Sequence, residues 1–286
     1  MHIVKIAFIF ILVGYGTKAG LAPMHTWLPD AHSQSVAPIS ALLSGVLLKT
    51  ALYAILRFTV IVNKSAGTHY VSNLMLLLGL LSLIISCGFI LVQKDLKRLL
   101  AYSSIEHVGI IAIGIGIGTA PALFGALFHV FNHAISKSLM FFGAGNIVSH
   151  YKKHNINMIR GVMGNMRFTG IMVLLGVFAL TGLPPFSVFI SEMYIFYAAL
   201  LRQSYLIAGV LLLCIAVIFG AFIHHFSKML FGSVPKEISI GTERLSSKAA
   251  FIFLLLLICI FGIAMPRIFN AVLLSAVDIL QGVYYG

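Results

Sequence analysis

PALFGALFHVFNHAISKSLMFFGAGNIVS, residues 121–149, is apolar enough to cross a bilayer yet carries His129, His133 and Lys137 in its middle. A spanning helix needs about 20 mainly apolar residues. The three ionisable residues are spaced i, i+4, i+8 and share one helix face, with Asn132 and Ser136 beside them. A charge at the bilayer centre costs about 2.5–3.5 kcal/mol on insertion scales. Histidine titrates near neutrality, and desolvation favours the neutral form of a buried lysine, so both suit a proton relay. The plainer alternative is a set of helix–helix hydrogen bonds. A haem or metal held by His129 and His133 is disfavoured, because that span has no carboxylate and Lys137 would repel a cation.

The rest of the chain has the same character. Of 286 residues, 60% are hydrophobic and 9% charged, against about 25% charged in a soluble domain. Apolar runs at 3–19, 37–60, 70–92, 98–118, 121–149, 168–202, 204–230 and 248–270 predict an all-α membrane bundle of about eight helices. The sixth run is too long for one plain helix and is interrupted at Pro184-Pro185. The polar stretch Met24–Gln34 after the first run predicts a short half-helix. No cleavable signal peptide, low-complexity tract or soluble domain is expected.

The net charge of +12 reflects topology, not nucleic-acid binding. Lys94, Lys97, Arg98, Lys152, Lys153, Arg160, Arg167, Lys228, Lys236, Arg244 and Lys248 follow the odd-numbered spans. Lys5, Arg57, Lys64, Arg202 and Arg267 fall on the other side. The positive-inside rule puts the first group in the cytoplasm and both termini in the periplasm of a bacterial inner membrane. Cys87, Cys214 and Cys259 lie in apolar runs without a CxxC pair, so they read as packing residues, and no metal or redox cofactor is expected.

Further ionisable residues sit in the apolar runs. Lys49 is near the middle of the second. Lys18 adjoins Gly16-Thr-Lys-Ala-Gly-Leu-Ala-Pro23, and Glu192 follows Thr181-Gly-Leu-Pro-Pro185. Helices broken by Gly and Pro free backbone groups, tolerated at membrane depth only against protein or a cavity, and paired breaks point to an ion site. Lys18 could instead cap freed carbonyls, and Glu192 could be a mere hydrogen-bonding group. Glu106 and His107 open the fourth span and could link the cytoplasm to the buried axis, with an interfacial role as the even alternative. His25, Asp30 and His32 read as structural ties. His224, His225 and Lys228 form an exit or face lipid headgroups.

The run Gly16-Thr-Lys-Ala-Gly-Leu-Ala-Pro-Met-His-Thr-Trp-Leu-Pro-Asp-Ala-His-Ser33, with Leu47-Leu-Lys49, resembles the signature of antiporter-like membrane subunits. These occur in respiratory complex I, Mrp sodium/proton antiporters and group 4 nickel–iron hydrogenases. The likeness continues through Asp95–Ser104, His129–Lys137 and Thr181–Phe186 with Glu192, and its wording is most similar to component F of hydrogenase-4.

The resemblance implies a relay through Lys18, Lys49, His129, His133, Lys137 and Glu192, and Glu106 and His107 join the candidate relay by their place in the fourth span. It also implies two inverted five-helix repeats, with 1–60 the remainder of the first, 70–230 the complete second, and 248–286 a C-terminal helix and tail. Six helices precede Lys18 in the family and carry an acidic partner for it. That implies a separate chain supplying them, or a truncated, non-transporting scaffold.

The expected function is a proton-translocating membrane subunit or half-subunit of a hydrogenase-4-like or NADH:quinone-like oxidoreductase. Other membrane and hydrophilic subunits are its partners and hold the redox chemistry, and the bilayer surrounds it. The alternative is a stand-alone or Mrp-type sodium/proton antiporter. Glu192 as the sole carboxylate well inside a span favours protons.

Overall fold

The computed structural model describes residues 2–234, 241 and 243–282. Lys236, counted above among the cytoplasmic basic residues, lies outside them. The described residues are almost entirely helical: α1 (His2–Ala19), α2 (Trp27–Gln34), α3 (Ala37–Leu42), α4 (Leu48–Ala66), α5 (Thr68–Val92), α6 (Leu96–Ile117), α7 (Ala120–Tyr151), α8 (Val162–Asn165), α9 (Arg167–Leu180), α10 (Ser187–Leu201), α11 (Tyr205–Phe231), α12 (Leu245–Ile263) and α13 (Arg267–Gln281). A π turn, Leu43–Leu47, joins α3 to α4 into one run, Ala37–Ala66. Six helical runs are long and apolar enough to cross a membrane, and α9 and α10 are shorter apolar helices. The chain is a multi-pass membrane protein.

Ordinary local chemistry sets the boundaries. Asp95 starts α6 by accepting the Arg98 amide at 2.9 Å, a cap worth about 1 kcal/mol. Gly118 ends it in the left-handed region, φ 71°, and Pro121 opens α7, where a missing amide costs nothing. Both expected breaks are present. α1 gives way to α2 across residues 20–26, and α9 to α10 across 181–186. The broken backbone finds partners, as a dry interior demands. The Ala22 amide donates to Ser82 Oγ at 2.8 Å, and the Trp27 indole to the Thr17 carbonyl at 2.7 Å.

α6 is the central pillar, with every residue of its apolar window buried. α5 and α7 flank it, and α2 and α10 also touch it. Apolar burial gives little drive between helices in lipid, so close backbone approach matters more. Gly79 of α5 and Gly109 of α6 provide it. A Cβ at either would stand 2.9 Å from the other's carbonyl oxygen.

The C-terminal reading needs correction. The helix expected over 248–270 stops at Ile263, and a separate helix, α13, begins at Arg267. Pro266 disfavours helical backbone at the residue before it. With Asp278 and Gln281 in its second half, α13 is too polar for a plain span. Phe131, Phe261 and Phe269 pin it to α7 and α12, with ring centroids 4.6–4.8 Å apart. Such pairs are worth about 0.5–1.5 kcal/mol each.

The loops after α5 and α7 meet at one end. The Leu96 amide donates to the His154 carbonyl at 3.0 Å, and the Ile156 amide to the Lys94 carbonyl at 2.8 Å. His225 of α11 bonds the Ile90 carbonyl at 3.0 Å, and Asp30 of α2 pairs with Arg98 at this same basic end.

Candidate functional site

The π turn before α4 has a local consequence. The wider turn changes the backbone bonding register, and Lys49 Nζ donates to the Ser44 carbonyl within it at 2.8 Å. The same ammonium bonds Nδ1 of His133 on α7. Lys49 and His133, 84 positions apart in the chain, form one contact.

From His133 the polar contacts run across α6 to α10. The His133 ring lies 4.7 Å from His107 on α6, and His107 lies 5.0 Å from His129 on α7, centroid to centroid. His107 Nδ1 and His129 Nε2 are 2.9 Å apart, and His129 Nδ1 is 2.9 Å from Ser191 Oγ on α10. Asn132 Nδ2 donates to Ser187 O at 2.8 Å and to Ser191 Oγ at 3.1 Å, which fixes α10 against α7. His107, His129, His133 and Ser191 are fully buried.

This chain of bonds has two allowed polarities, inferred from the hydrogen-bond network. In one, Ser191 donates to Val188 O, 2.8 Å away, so it accepts from His129 Nδ1–H. His129 Nε2 then accepts from His107 Nδ1–H. In the other, each proton sits on the opposite atom of its pair, and the Ser191 hydroxyl donates to His129. Passing one proton along the row converts the first into the second.

The row has one joint without a direct hydrogen bond, between His133 and His107. His133 Nε2 lacks a partner among the described residues, and His107 Nε2 has only the Leu180 backbone near it, outside normal hydrogen-bond geometry. Glu106 Oε2, Asn132 Oδ1, Ser136 Oγ and Ser187 Oγ are also buried and unpartnered. Buried polar atoms in such numbers call for ordered water, which bridges groups almost as well as a direct bond.

Glu192 closes the row, because its carboxylate and the His107 and His129 ring nitrogens lie within 4.8 Å of one another. Gly182, at φ +69° in the second break, makes the space. A Cβ there would stand 2.1 Å from Glu192 Oε2. These three groups are a donor set for a metal ion by distance, with a carboxylate supplied from α10 that the α7 span alone lacked. Lys49 and Lys137 lie in electrostatic reach of His107 and oppose a divalent cation.

Lys137 is fully buried and donates to Leu100 O at 2.8 Å. Glu106 lies in its electrostatic reach, 3% exposed and ten residues into α6. Its side chain therefore faces the protein interior. The structure thus gathers Lys49, Glu106, His107, His129, His133, Lys137 and Glu192 into one cluster. Lys18 stands apart, exposed on α1.

Sequence reasoning missed Ser191, Gly182 and His32. His32 was read as a structural tie, but it is fully buried with neither ring nitrogen hydrogen-bonded. It stacks on Phe141 at 4.6 Å, within electrostatic reach of Lys137, Lys49 and Lys97. Only the fold-back of α2 onto α6 and α7 reveals this, and no spacing rule announces it. Asp30, read the same way, does tie α2 to Arg98.

Residues 2–220 match the family described as NADH:quinone oxidoreductase/Mrp antiporter, TM. A hydrogenase-4 component F homolog from Methylacidiphilum infernorum is 42% identical over 230 residues, covering 80% of this chain and 48% of the relative. An NAD(P)H-quinone oxidoreductase chain 4 from Prochlorococcus marinus is 31% identical, covering 94% of this chain and 51% of the relative. The chain spans about half the length of these curated relatives.

Among solved structures, the archaeal membrane-bound sulfane sulfur reductase matches with TM-score 0.87 at 26% identity, over 97% of this chain and 55% of that one. The Mrp complex of Dietzia matches with TM-score 0.85 at 17% identity, over 97% of this chain and 59% of that one, which shows a shared fold.

Proposed function

The chain belongs to the NADH:quinone oxidoreductase/Mrp antiporter transmembrane family, and from that premise we propose that it conducts protons sideways through the membrane interior. It does so as part of a subunit of a hydrogenase-4-like or NADH:quinone-like complex. The observation that carries this reading is the row Lys49–His133–His107–His129–Ser191, which crosses four helices and ends at Glu192.

Each member can accept one proton and release another from a different atom. An excess proton on Lys49 passes to His133 Nδ1, and His133 releases its Nε2 proton. One water carries that proton to His107 Nε2. His107 then gives its Nδ1 proton to His129 Nε2, and His129 gives its Nδ1 proton toward Ser191 and Glu192. Lys137 and Glu106 set the field around the joint, because the charge on either one raises or lowers the cost of a proton on the histidines.

His32 and Lys97 form the feed from the basic end. Lys97 donates to Ser35 O at 2.7 Å and lines an open cleft with Ala37, Gly145 and Ser149. His32 lies within electrostatic reach of both Lys97 and Lys49. The basic end faces the cytoplasm, which puts both termini on the other side of a bacterial inner membrane. Partner subunits carry out the redox reaction, and Lys18 joins the relay where further protein covers α1. The division at 1–60, 70–230 and 248–286 marks the remainder of one repeat, a complete second repeat and a C-terminal element.

The test is substrate-driven acidification in sealed vesicles of the native membranes, with electron transfer measured in parallel. Lys49→Gln and His129→Gln should each cut pumping at least about tenfold, as expected for loss of a proton-transfer group, while the complex still assembles. Pumping at the parental rate in assembled complexes would refute the reading.

A further inference from the structure

Away from the conducting row, α4 carries Tyr53, Arg57, Ile61 and Lys64 at i, i+4, i+8 and i+11, a single stripe on one face. The stripe faces α13 across a groove of about 580 Å³, whose other wall is Ala276, Ile279 and Leu280. Tyr53, Arg57, Ile61, Lys64 and Ile279 are all exposed. The Arg57 guanidinium sits 6.0 Å from the Tyr53 ring centroid, one turn toward the Lys49 end of the stripe.

At its Lys64 end the groove joins a second cavity of about 470 Å³. The two share Leu56, Val60, Lys64 and Leu280. The second cavity has a mainly apolar wall with Lys64, His69 and Arg202 on it, and Arg202 is held in place by bonds to the Ile117 and Gly116 carbonyls at 2.6 and 3.2 Å. Thr59 Oγ1, Asn63 Oδ1 and Thr119 Oγ1 line it as well, buried and unpartnered. Thr59 is 6% exposed.

An apolar trough and a chamber carrying Lys64, His69 and Arg202 at its end together match one chemistry. We propose that the groove between α4 and α13 binds an anionic phospholipid, with an acyl chain in the trough and the phosphodiester at Lys64 and Arg202.

The positions along α4 agree. Lys64 is fifteen residues from Lys49, about 22 Å at 1.5 Å per residue. If Lys49 is near mid-membrane, Lys64 reaches the headgroup layer of a core about 30 Å thick. Arg57, about 12 Å from Lys49, is then inside the hydrocarbon edge on a lipid-facing stripe. A charged group there is stabilised by snorkelling to an anionic headgroup. The hydroxyls of Thr59 and Thr119 can donate to phosphate oxygens, and Asn63 Oδ1 can accept from a headgroup hydroxyl.

The test extracts the native complex into mild detergent, washes it, and identifies the retained phospholipids by mass spectrometry. The parental protein should retain anionic phospholipid well above its share of the membrane extract. The double variant Arg57→Gln/Lys64→Gln should lower that retention about 25-fold, on roughly fivefold per basic group. Ile279→Trp fills the trough without changing charge and should also lower it. Lys94→Gln, at the opposite end, should leave it unchanged.

Equal retention in the parental protein and the double variant would overturn the proposal. So would full retention in Ile279→Trp, or a chamber that binds inorganic phosphate while no lipid co-purifies. A photo-crosslinker at Ile61 that captures a polypeptide instead of a lipid would overturn it too.

Discussion

The two helix breaks are alike in sequence and differ in what surrounds them. Each follows an apolar helix, each holds a glycine in the left-handed region (Gly20 at φ +83°, Gly182 at φ +69°), and each adjoins an ionisable residue. At the second break α6 and α7 bring His107 and His129 to Glu192, so the freed space is occupied by titratable groups. At the first break the neighbours are Ser82, Leu28 and Ile105, and Lys18 is exposed on α1. A break by itself opens space and frees backbone. It becomes a proton site only where a second element delivers a partner.

Four substitutions sharpen this comparison. The largest effect is expected from His133→Leu, which removes the hydrogen bond that links Lys49 to the histidine row. Pumping should fall at least about tenfold in vesicles, the scale for one proton-transfer group, and retained pumping would mean the row is not the path.

Next is Gly182→Ala. Its Cβ would stand 2.1 Å from Glu192 Oε2, on backbone where an L side chain costs about 1–2 kcal/mol. The carboxylate must move, so pumping should drop sharply while thermal stability falls by only that amount.

Gly20→Ala carries the same backbone cost, but its new Cβ meets a movable leucine tip, Leu28 Cδ2, at 3.0 Å. It should lose similar stability and keep pumping. Equal loss of pumping in both glycine variants would erase the distinction between the breaks. The smallest effect belongs to Ser82→Ala, which strands the Ala22 amide at the first break. A loss of about 1 kcal/mol or somewhat more in unfolding stability is expected, with pumping unchanged.

Much of this was legible in the residues. Run lengths gave the spans, Pro184-Pro185 gave the second break, and the i, i+4, i+8 spacing of His129, His133 and Lys137 gave one polar face. What stayed hidden depends on helices meeting. Lys49 reads as a lone lysine until the π turn and α7 place His133 against it. Glu106 lies near the start of an apolar run, and only packing of α5, α7 and α10 around α6 makes it interior. α13 is hard to separate in sequence because its apolar residues continue from the preceding run, with only Pro266 marking the interruption. Lys18, at the first break where capping freed carbonyls is the alternative, is exposed, and nothing in the described residues encloses it.

The central claim is that His107 joins two halves of one proton row. His107→Phe keeps a planar ring of similar bulk and removes both nitrogens. The direct measurement is the number of protons moved per electron in sealed vesicles holding the assembled His107→Phe complex. The account predicts that electron transfer continues while the ratio falls at least about tenfold, the scale for loss of one proton-transfer group. An unchanged ratio in a fully assembled complex would contradict it.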